Sequence, residues 1–166
     1  MAVLITTSRK PCNRTRSFCR DLATRLPHAI YQNRGKANLD DIIVLARALF
    51  CDTILVVQEM HGNPSKIEFI SVHADSWQRQ GYMLVQKAIL SRELNSPRLS
   101  KAVDISIDAP SSVQSWLKFF VPNEEDIVPD SDLLMRVDES KKEISFYYKS
   151  SKVGPVIVYR EVRLDV

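Results

Sequence analysis

Glycine is scarce in this 166-residue chain: Gly35, Gly62, Gly81 and Gly154 are all there are, and none lies near another. A phosphate-cradling P-loop needs closely spaced glycines and a Gly-Lys-Ser/Thr ending, and a dinucleotide fingerprint needs a glycine triplet; neither can be assembled here. Cysteine is as sparse. Cys12, Cys19 and Cys51 are an odd number without a Cys-x-x-Cys pair, which argues against a disulfide framework or zinc site and fits buried or loop thiols in a reducing compartment. The sixth residue after Cys12 is Phe18, so the Cys-x5-Arg cradle of tyrosine phosphatases fails, and no serine nucleophile elbow is present. His28, His61 and His73 lack His-Glu-x-x-His spacing; Glu59, His61, His73 and Asp75 could at most meet around a hairpin, and no metal, cofactor or catalytic residue is assigned. Long apolar runs are missing too. The one near Ile42 stops at Arg47, and the opening MAVLITTSRK is too short in apolar length for a signal peptide, so a cytoplasmic protein with no membrane segment is expected.

What the chain does have is charge, unevenly placed. With 45% hydrophobic and 26% charged residues it can bury a core as one domain or as two small halves packed together. The net charge of +3 hides a segregation: Ser8 to Lys36 holds eight cations (Arg9, Lys10, Arg14, Arg16, Arg20, Arg25, Arg34, Lys36) against Asp21 alone. Such a footprint suits a polyanion. Arginine on a helix face is commonly no more than a solvated surface, but these bracket a strand-to-helix loop and outnumber the lysines six to two. Guanidinium forks grip phosphate bidentately and stack on unpaired bases as ammonium groups do not, and the amides at the start of the helix would favour an anion. The helix needs its apolar face for the core and exposes no Trp or Phe to lipid, so RNA is favoured over a membrane surface.

The pattern of apolar residues predicts an α/β protein. Ala2 to Thr6 reads as a strand, and a helix follows from about Arg14 to Leu26, with Phe18, Cys19, Leu22, Ala23 and Leu26 on one face and Arg16 and Arg20 turned outward. Ala29 to Asn33 is a short second strand, and Asn38 caps a helix over Leu39 to Phe50 in which Leu39, Ile42, Ile43, Ala46 and Phe50 share a stripe. Asp40 and Asp41 then serve the helix dipole. Thr53 to Gln58 has the continuous apolar character of a strand buried on both faces, and the turn His61-Gly62-Asn63-Pro64 leads into Ile67 to Val72. After the polar Ala74 to Gly81 come a strand from Tyr82 to Leu90, a loop from Ser91 to Ser100 that marks a candidate boundary, a strand from Val103 to Ile107, and a helix from Pro110 to Val121 with Trp116 and Phe120 in the core. An acidic loop, Glu124 to Asp132, precedes three strands, Leu133 to Val137, Glu143 to Lys149 and Val156 to Leu164, joined by turns at 139–142 and Gly154-Pro155. Each half mixes strands with helix and ends in antiparallel pairs, without a residue-level repeat.

Four ordered motifs, Thr6-Thr7-Ser8-Arg9-Lys10-Pro11, Arg14-Thr15-Arg16-Ser17-Phe18, Asn33-Arg34-Gly35 and His61-Gly62-Asn63-Pro64, resemble the Brix-domain family of ribosome-biogenesis proteins. The likeness is close over residues 4–72 and rests elsewhere on length and strand order; without extensions around the domain the chain is similar to the archaeal single-domain members and the small-subunit processome branch. The resemblance implies a single domain, 1–166, of two similar α/β halves, roughly 1–80 (basic, RNA-binding) and 81–166 (support or partner docking). Each half would be related to the anticodon-binding domain of class IIa aminoacyl-tRNA synthetases. It implies a monomeric, non-catalytic role in ribosomal RNA processing and subunit assembly, with ribosomal RNA and ribosomal or assembly proteins as partners. By position the RNA contacts would be Arg9, Lys10, Arg14, Arg16, Arg34 and Lys36, joined by the outward Arg20; the turn at Gly62-Asn63-Pro64 is either a contact or a tight hairpin. Cys12 departs from the small or polar residue the family pattern leads one to expect. Two other classes stay open: a module whose basic face meets an acidic protein, and an enzyme acting on RNA, which would need carboxylates or histidines clustered at that face.

Overall fold

The computed structural model describes residues 2–165. In chain order the elements are β1 (Ala2–Thr7), α1 (Asn13–Arg25), β2 (Ile30–Tyr31), α2 (Leu39–Ala48), β3 (Cys51–Met60), β4 (Asn63–Val72), β5 (Trp77–Ile89), a 3-10 turn (Ser91–Leu94), β6 (Ser106–Asp108), α3 (Gln114–Leu117), β7 (Leu133–Asp138), β8 (Glu143–Tyr148) and β9 (Ser151–Leu164). All nine strands form one mixed sheet in the order β2-β1-β3-β4-β5-β9-β8-β7-β6, so the expected α/β class with packed helices holds.

Alternation along the strands sets the layers. Val3, Ile5, Leu55, Val57, Ile67 and Phe69 meet α1 and the second-half aromatics in one continuous core, while Leu4, Ile54, Val56, Ile70 and Val72 meet α2 on the opposite face. β1 and β3 are therefore buried on both sides, which is why their sequences read as unbroken apolar runs. Phe69 stacks on Phe119 at 4.8 Å between centroids and meets Phe120 edge-on at 5.7 Å. This aromatic group joins strands of the first half to the α3 region. Trp116 and Phe120 are core residues, as their spacing predicts.

The pairing pattern occurs twice. β1 runs parallel to β3, which forms antiparallel pairs onward to β4 and β5; β6 runs parallel to β7, which forms antiparallel pairs onward to β8 and β9. β5 and β9 then pair antiparallel as the seam. At this seam Gly81 has φ +139°, and a Cβ there would lie 2.2 Å from the Arg163 carbonyl oxygen, so only glycine fits.

Several expectations need correcting. The loop at 91–100 runs between β5 and β6 and is not free in space: the Ser91 amide donates to Asp21 Oδ2 (2.9 Å) and Arg92 to Ser17 Oγ (3.1 Å), tying its first turn to α1. The helix expected over Pro110 to Val121 is a 3-10 turn followed by the single α turn of α3; its serines, valine and aromatics have modest helix propensity, and packing against Phe69 takes precedence. Strand β6 begins at Ser106 rather than Val103. Gly154-Pro155 lies inside β9, and the chain reverses instead at Lys149-Ser150, whose φ values of +47° and +71° are those of a two-residue hairpin turn. Phe50 leaves the α2 stripe: with φ +57° it turns the chain into β3 and is 84% exposed. The polar segment 74–81 is largely strand, because β5 begins at Trp77.

Candidate nucleic-acid interface

Helix α1 follows directly from the loop after β1, and α2 follows the loop after β2; β1 and β2 are parallel neighbours, so these two loops emerge side by side. Arginine ties them together. Arg9 Nε (3.3 Å) and Arg34 Nε (2.8 Å) both donate to the Ala37 carbonyl, and a second nitrogen of Arg34 donates to the Thr7 carbonyl at 2.9 Å. Burial, and then the nearby Arg9 charge, lower the Arg34 guanidinium from its ordinary value. Lys10 and Lys36 are exposed on the same paired loops and enter no hydrogen bond or ion pair among the described residues. Lys10 adopts φ +57° directly before Pro11, a conformation that non-glycine residues seldom take.

The outward face of α1 continues this surface. Arg16 is held by Asn13 Oδ1 (2.8 Å), and Arg20 lies over the Tyr31 ring at 5.4 Å. Burial raises the Tyr31 phenol despite the Arg20 and Arg16 charges that oppose the shift, and its hydroxyl donates to Asn33 Oδ1 at 2.8 Å. Tyr31 is the residue the sequence reading overlooked: an aromatic in a two-residue strand carries no periodic signal, yet parallel pairing sets it beside the arginines.

Arg14 and Arg25 behave differently. Arg14 donates to Asn63 Oδ1 (3.0 Å), the Ala88 carbonyl (2.8 Å) and Glu93 Oε1 (2.9 Å), and is the one cation of the expected contact set in an ion pair among the described residues. Arg25 is 3% exposed and donates to the Gly154 carbonyl at 2.8 Å across the seam, so it belongs to the interior rather than to the basic face.

The start of α1 is not an open anion site. Cys12, at the N-cap, offers no side-chain cap; instead Glu59 Oε2 accepts from the Cys12 amide (2.9 Å) and the Thr15 hydroxyl (2.8 Å). Hydrogen bonding from Cys12, then Thr15, holds the Glu59 carboxyl below its ordinary value. The Cys12 thiol donates to the Gly62 carbonyl at 3.3 Å, so a cysteine suits this position. Asn63 accepts from Arg14, so the 61–64 turn is tied to the start of α1. His61 and His73 fall beyond opposite ends of the ten-residue β4, which itself spans roughly 30 Å at strand rise, and among the described residues no group of His, Cys, Asp or Glu is arranged to hold a metal. No helix is long and apolar enough to cross a membrane.

The geometry is that of a mixed α/β protein with one arginine-rich face. No family model matches the chain, but curated proteins do, one of them over nearly its whole length. A "Probable Brix domain-containing ribosomal biogenesis protein" of Methanopyrus kandleri is 31% identical over 179 aligned positions, covering 96% of this chain and 93% of the relative. Its Methanothermobacter thermautotrophicus namesake is 40% identical over 66% of this chain and 64% of its own length. The Pyrococcus abyssi protein of the same name is 38% identical over 92 residues, and the match spans 41% of its length. A crystal structure of a probable ribosomal biogenesis protein from Aeropyrum pernix shares the fold, with TM-score 0.78 at 24% identity over 96% of this chain and 95% of that one. That of Mil, an archaeal Imp4-like protein, gives 0.70 at 26% over 98% and 99%. The chain belongs to the family of Brix domain-containing ribosomal biogenesis proteins.

Proposed function

We propose that this chain is a non-catalytic factor that binds ribosomal RNA during pre-rRNA processing and subunit assembly, acting as a monomer in the cytoplasm with ribosomal or assembly proteins as further partners. The RNA lies on Arg9, Lys10, Arg16, Arg20, Arg34 and Lys36, where arginine forks hold phosphate and Tyr31 with Arg20 offers a stacking surface. Arg14 acts chiefly as the bracket that sets α1 against the hairpin. The observation that carries this reading is the convergence of two loops and one helix face into a single cationic surface whose members, Arg14 aside, enter no ion pair among the described residues. The left-handed Lys10 adds to it, since strained backbone gathers at functional positions. In this reading residues 1–80 form the RNA-binding half and 81–166 support it, each related to the anticodon-binding domain of class IIa aminoacyl-tRNA synthetases.

Fluorescence anisotropy with ribosomal RNA fragments across a salt series tests the proposal. Six neutralised phosphates give a log-log slope of about −4 for single strands, from roughly −0.7 each. An Arg9→Glu, Arg16→Glu, Arg20→Glu variant, folded by circular dichroism, loses most of the affinity and about half of that slope. Equal binding by the folded variant and the wild type would refute the reading, and capture of an acidic protein in place of RNA would favour a protein-docking role.

A further inference from the structure

The acidic loop has no part in the proposed RNA surface, yet it is built firmly into the fold. Residues 123–133 hold Glu124, Glu125, Asp126, Asp130 and Asp132 and no lysine or arginine. A parallel bridge between Ile105 and Ile127 sets the loop beside the segment before β6, with the Ile105 amide on the Asp126 carbonyl and the Val128 amide on the Ile105 carbonyl, both at 2.9 Å. The Ala102 amide donates to the Thr24 carbonyl at 3.0 Å, and the Ser131 hydroxyl donates to Asp104 Oδ1 at 2.6 Å. Between residues 99–104 and 130–133, beside the end of α1, lies a groove of about 450 Å³. Leu99, Leu133 and Tyr148 line it together with Val103, which is 66% exposed, and Ile127 on the adjoining strip is 37% exposed.

We infer that this groove docks an extended, lysine- and arginine-rich segment of a protein partner, with the segment's apolar side chains on Val103, Leu133 and Tyr148 and its cations on the surrounding carboxylates. The inference rests on the protein-partner part of the reading above, whose chemistry it names, and not on the RNA surface. Charge decides the occupant. Among the described residues the loop's one charged contact is Asp126 with His28 Nε2, at 3.4 Å, and Glu124, Glu125, Asp130 and Asp132 enter no ion pair. Of the two cations on the groove's walls, Arg25 is turned inward onto the Gly154 carbonyl, which leaves Lys101 alone against Asp104, Asp130 and Asp132. A phosphate backbone or an anionic lipid surface is repelled by such a lining. A metal ion or a polyamine leaves the apolar floor unused, whereas a basic peptide uses both floor and rim, the usual anatomy of a protein-docking patch. Backbone hydrogen bonds already fix both walls, so docking costs little ordering of the groove.

The test uses the whole chain, without RNA, and a fluorescein-labelled peptide of alternating lysine, arginine and photo-leucine. On irradiation, crosslinks map by mass spectrometry to residues 99–104 and 124–133. An Asp130→Asn, Asp132→Asn variant, folded by circular dichroism, binds the peptide about tenfold more weakly, chiefly through slower association, and responds less to salt. Val103→Ser weakens binding about fivefold through faster dissociation. An Arg9→Ala, Arg16→Ala, Arg20→Ala variant, impaired in RNA binding, takes the peptide as the wild type does. If the folded Asp130→Asn, Asp132→Asn variant holds the peptide with wild-type affinity, or the crosslinks fall outside the two segments, the groove is overturned while the RNA surface stands. Crosslinks in place without salt-dependent RNA binding by the wild type support the groove and overturn the RNA reading alone. Concentration-dependent dimers in sedimentation that Asp130→Asn, Asp132→Asn abolishes would put the basic face of a second copy in the groove and overturn the partner segment. The crosslink map of the wild type decides the matter even if a variant does not fold.

Discussion

Arg25 is the cleanest probe of how the cationic segment divides between fold and function. Seven of its eight cations are at least partly exposed, but Arg25 is 3% exposed, and its Nε donates to the Gly154 carbonyl at 2.8 Å. Burial lowers this guanidinium from its ordinary value, with Asp21 opposing. In Arg25→Ala the carbonyl loses a charge-assisted partner in a place water does not reach, a change of about 1.5–3 kcal/mol, to which the lost stem packing adds. Removing a buried charge gives back part of its desolvation cost, so the net loss is about 2–3 kcal/mol. At a urea m-value of about 2 kcal/mol/M the midpoint falls by about 1–1.5 M. Arg25→Lys retains the charge but not the fork and falls between. Arg20→Ala, at an exposed site, shifts the midpoint by less than about 0.3 M, within the roughly 0.5 kcal/mol typical of surface changes. RNA affinity reverses the order: Arg20→Ala weakens it, and folded Arg25→Ala at low temperature retains it. A wild-type urea midpoint for Arg25→Ala, combined with lost RNA binding, would refute the division and return Arg25 to the interface.

Other perturbations separate the same elements. Gly81→Ala, forced against the Arg163 carbonyl at a φ of +139°, costs about 3 kcal/mol or more, whereas Gly35→Ala, at φ +57° with open space around it, costs about 1 kcal/mol; urea melts rank the two. Phe69→Ala dissolves the stacked group with Phe119 and Phe120 and lowers stability by about 3–5 kcal/mol, read by the same melts. The Glu59 carboxyl is held below its ordinary value, so its contribution is present above the unfolded value near 4.3 and is lost as pH falls through the folded one. Stability curves between pH 6 and about 3 therefore fall less steeply for Glu59→Gln than for wild type; parallel curves would contradict the cap.

The parts of this fold legible in the sequence are those governed by local rules. Asn38 caps α2 as expected, and the apolar stripe of α2 follows from period alone; Asp41, expected only to serve the helix dipole, also accepts from the Asn38 amide and completes a capping box. What escaped lacks a local signal. Lys149-Ser150 holds a turn usually given to Asn-Gly, and Gly154-Pro155, which looks like a turn, is fixed in β9 because Ser91 packs against it: a Cβ on Gly154 would lie 2.5 Å from the Ser91 Cα. The cation run was visible as composition, but its division was not. Whether an arginine faces solvent, as Arg20 does, or a carbonyl 129 residues away, as Arg25 does, depends on tertiary pairing.

The doubled strand pattern narrows where RNA belongs. β1 and β6 occupy equivalent places, each parallel to the next long strand of its half and each leading through a loop toward a helix. After β1 that loop reads Ser8-Arg9-Lys10-Pro11-Cys12-Asn13; after β6 it reads Ala109-Pro110-Ser111-Ser112-Val113, with no cation. Among the described residues the second half also has no counterpart of α2, whose preceding loop carries Lys36 and joins Arg34 to Arg9 at the Ala37 carbonyl. One topology thus appears once with a cationic surface and once without, so in the proposed reading it is the charge, not the fold, that selects RNA. It follows that charge reversal in the first loop should remove most of the binding, whereas Ser111→Glu at the equivalent place should leave the RNA affinity and salt slope unchanged. A loss of affinity from the second variant, with the fold intact, would mean that both halves grip the RNA.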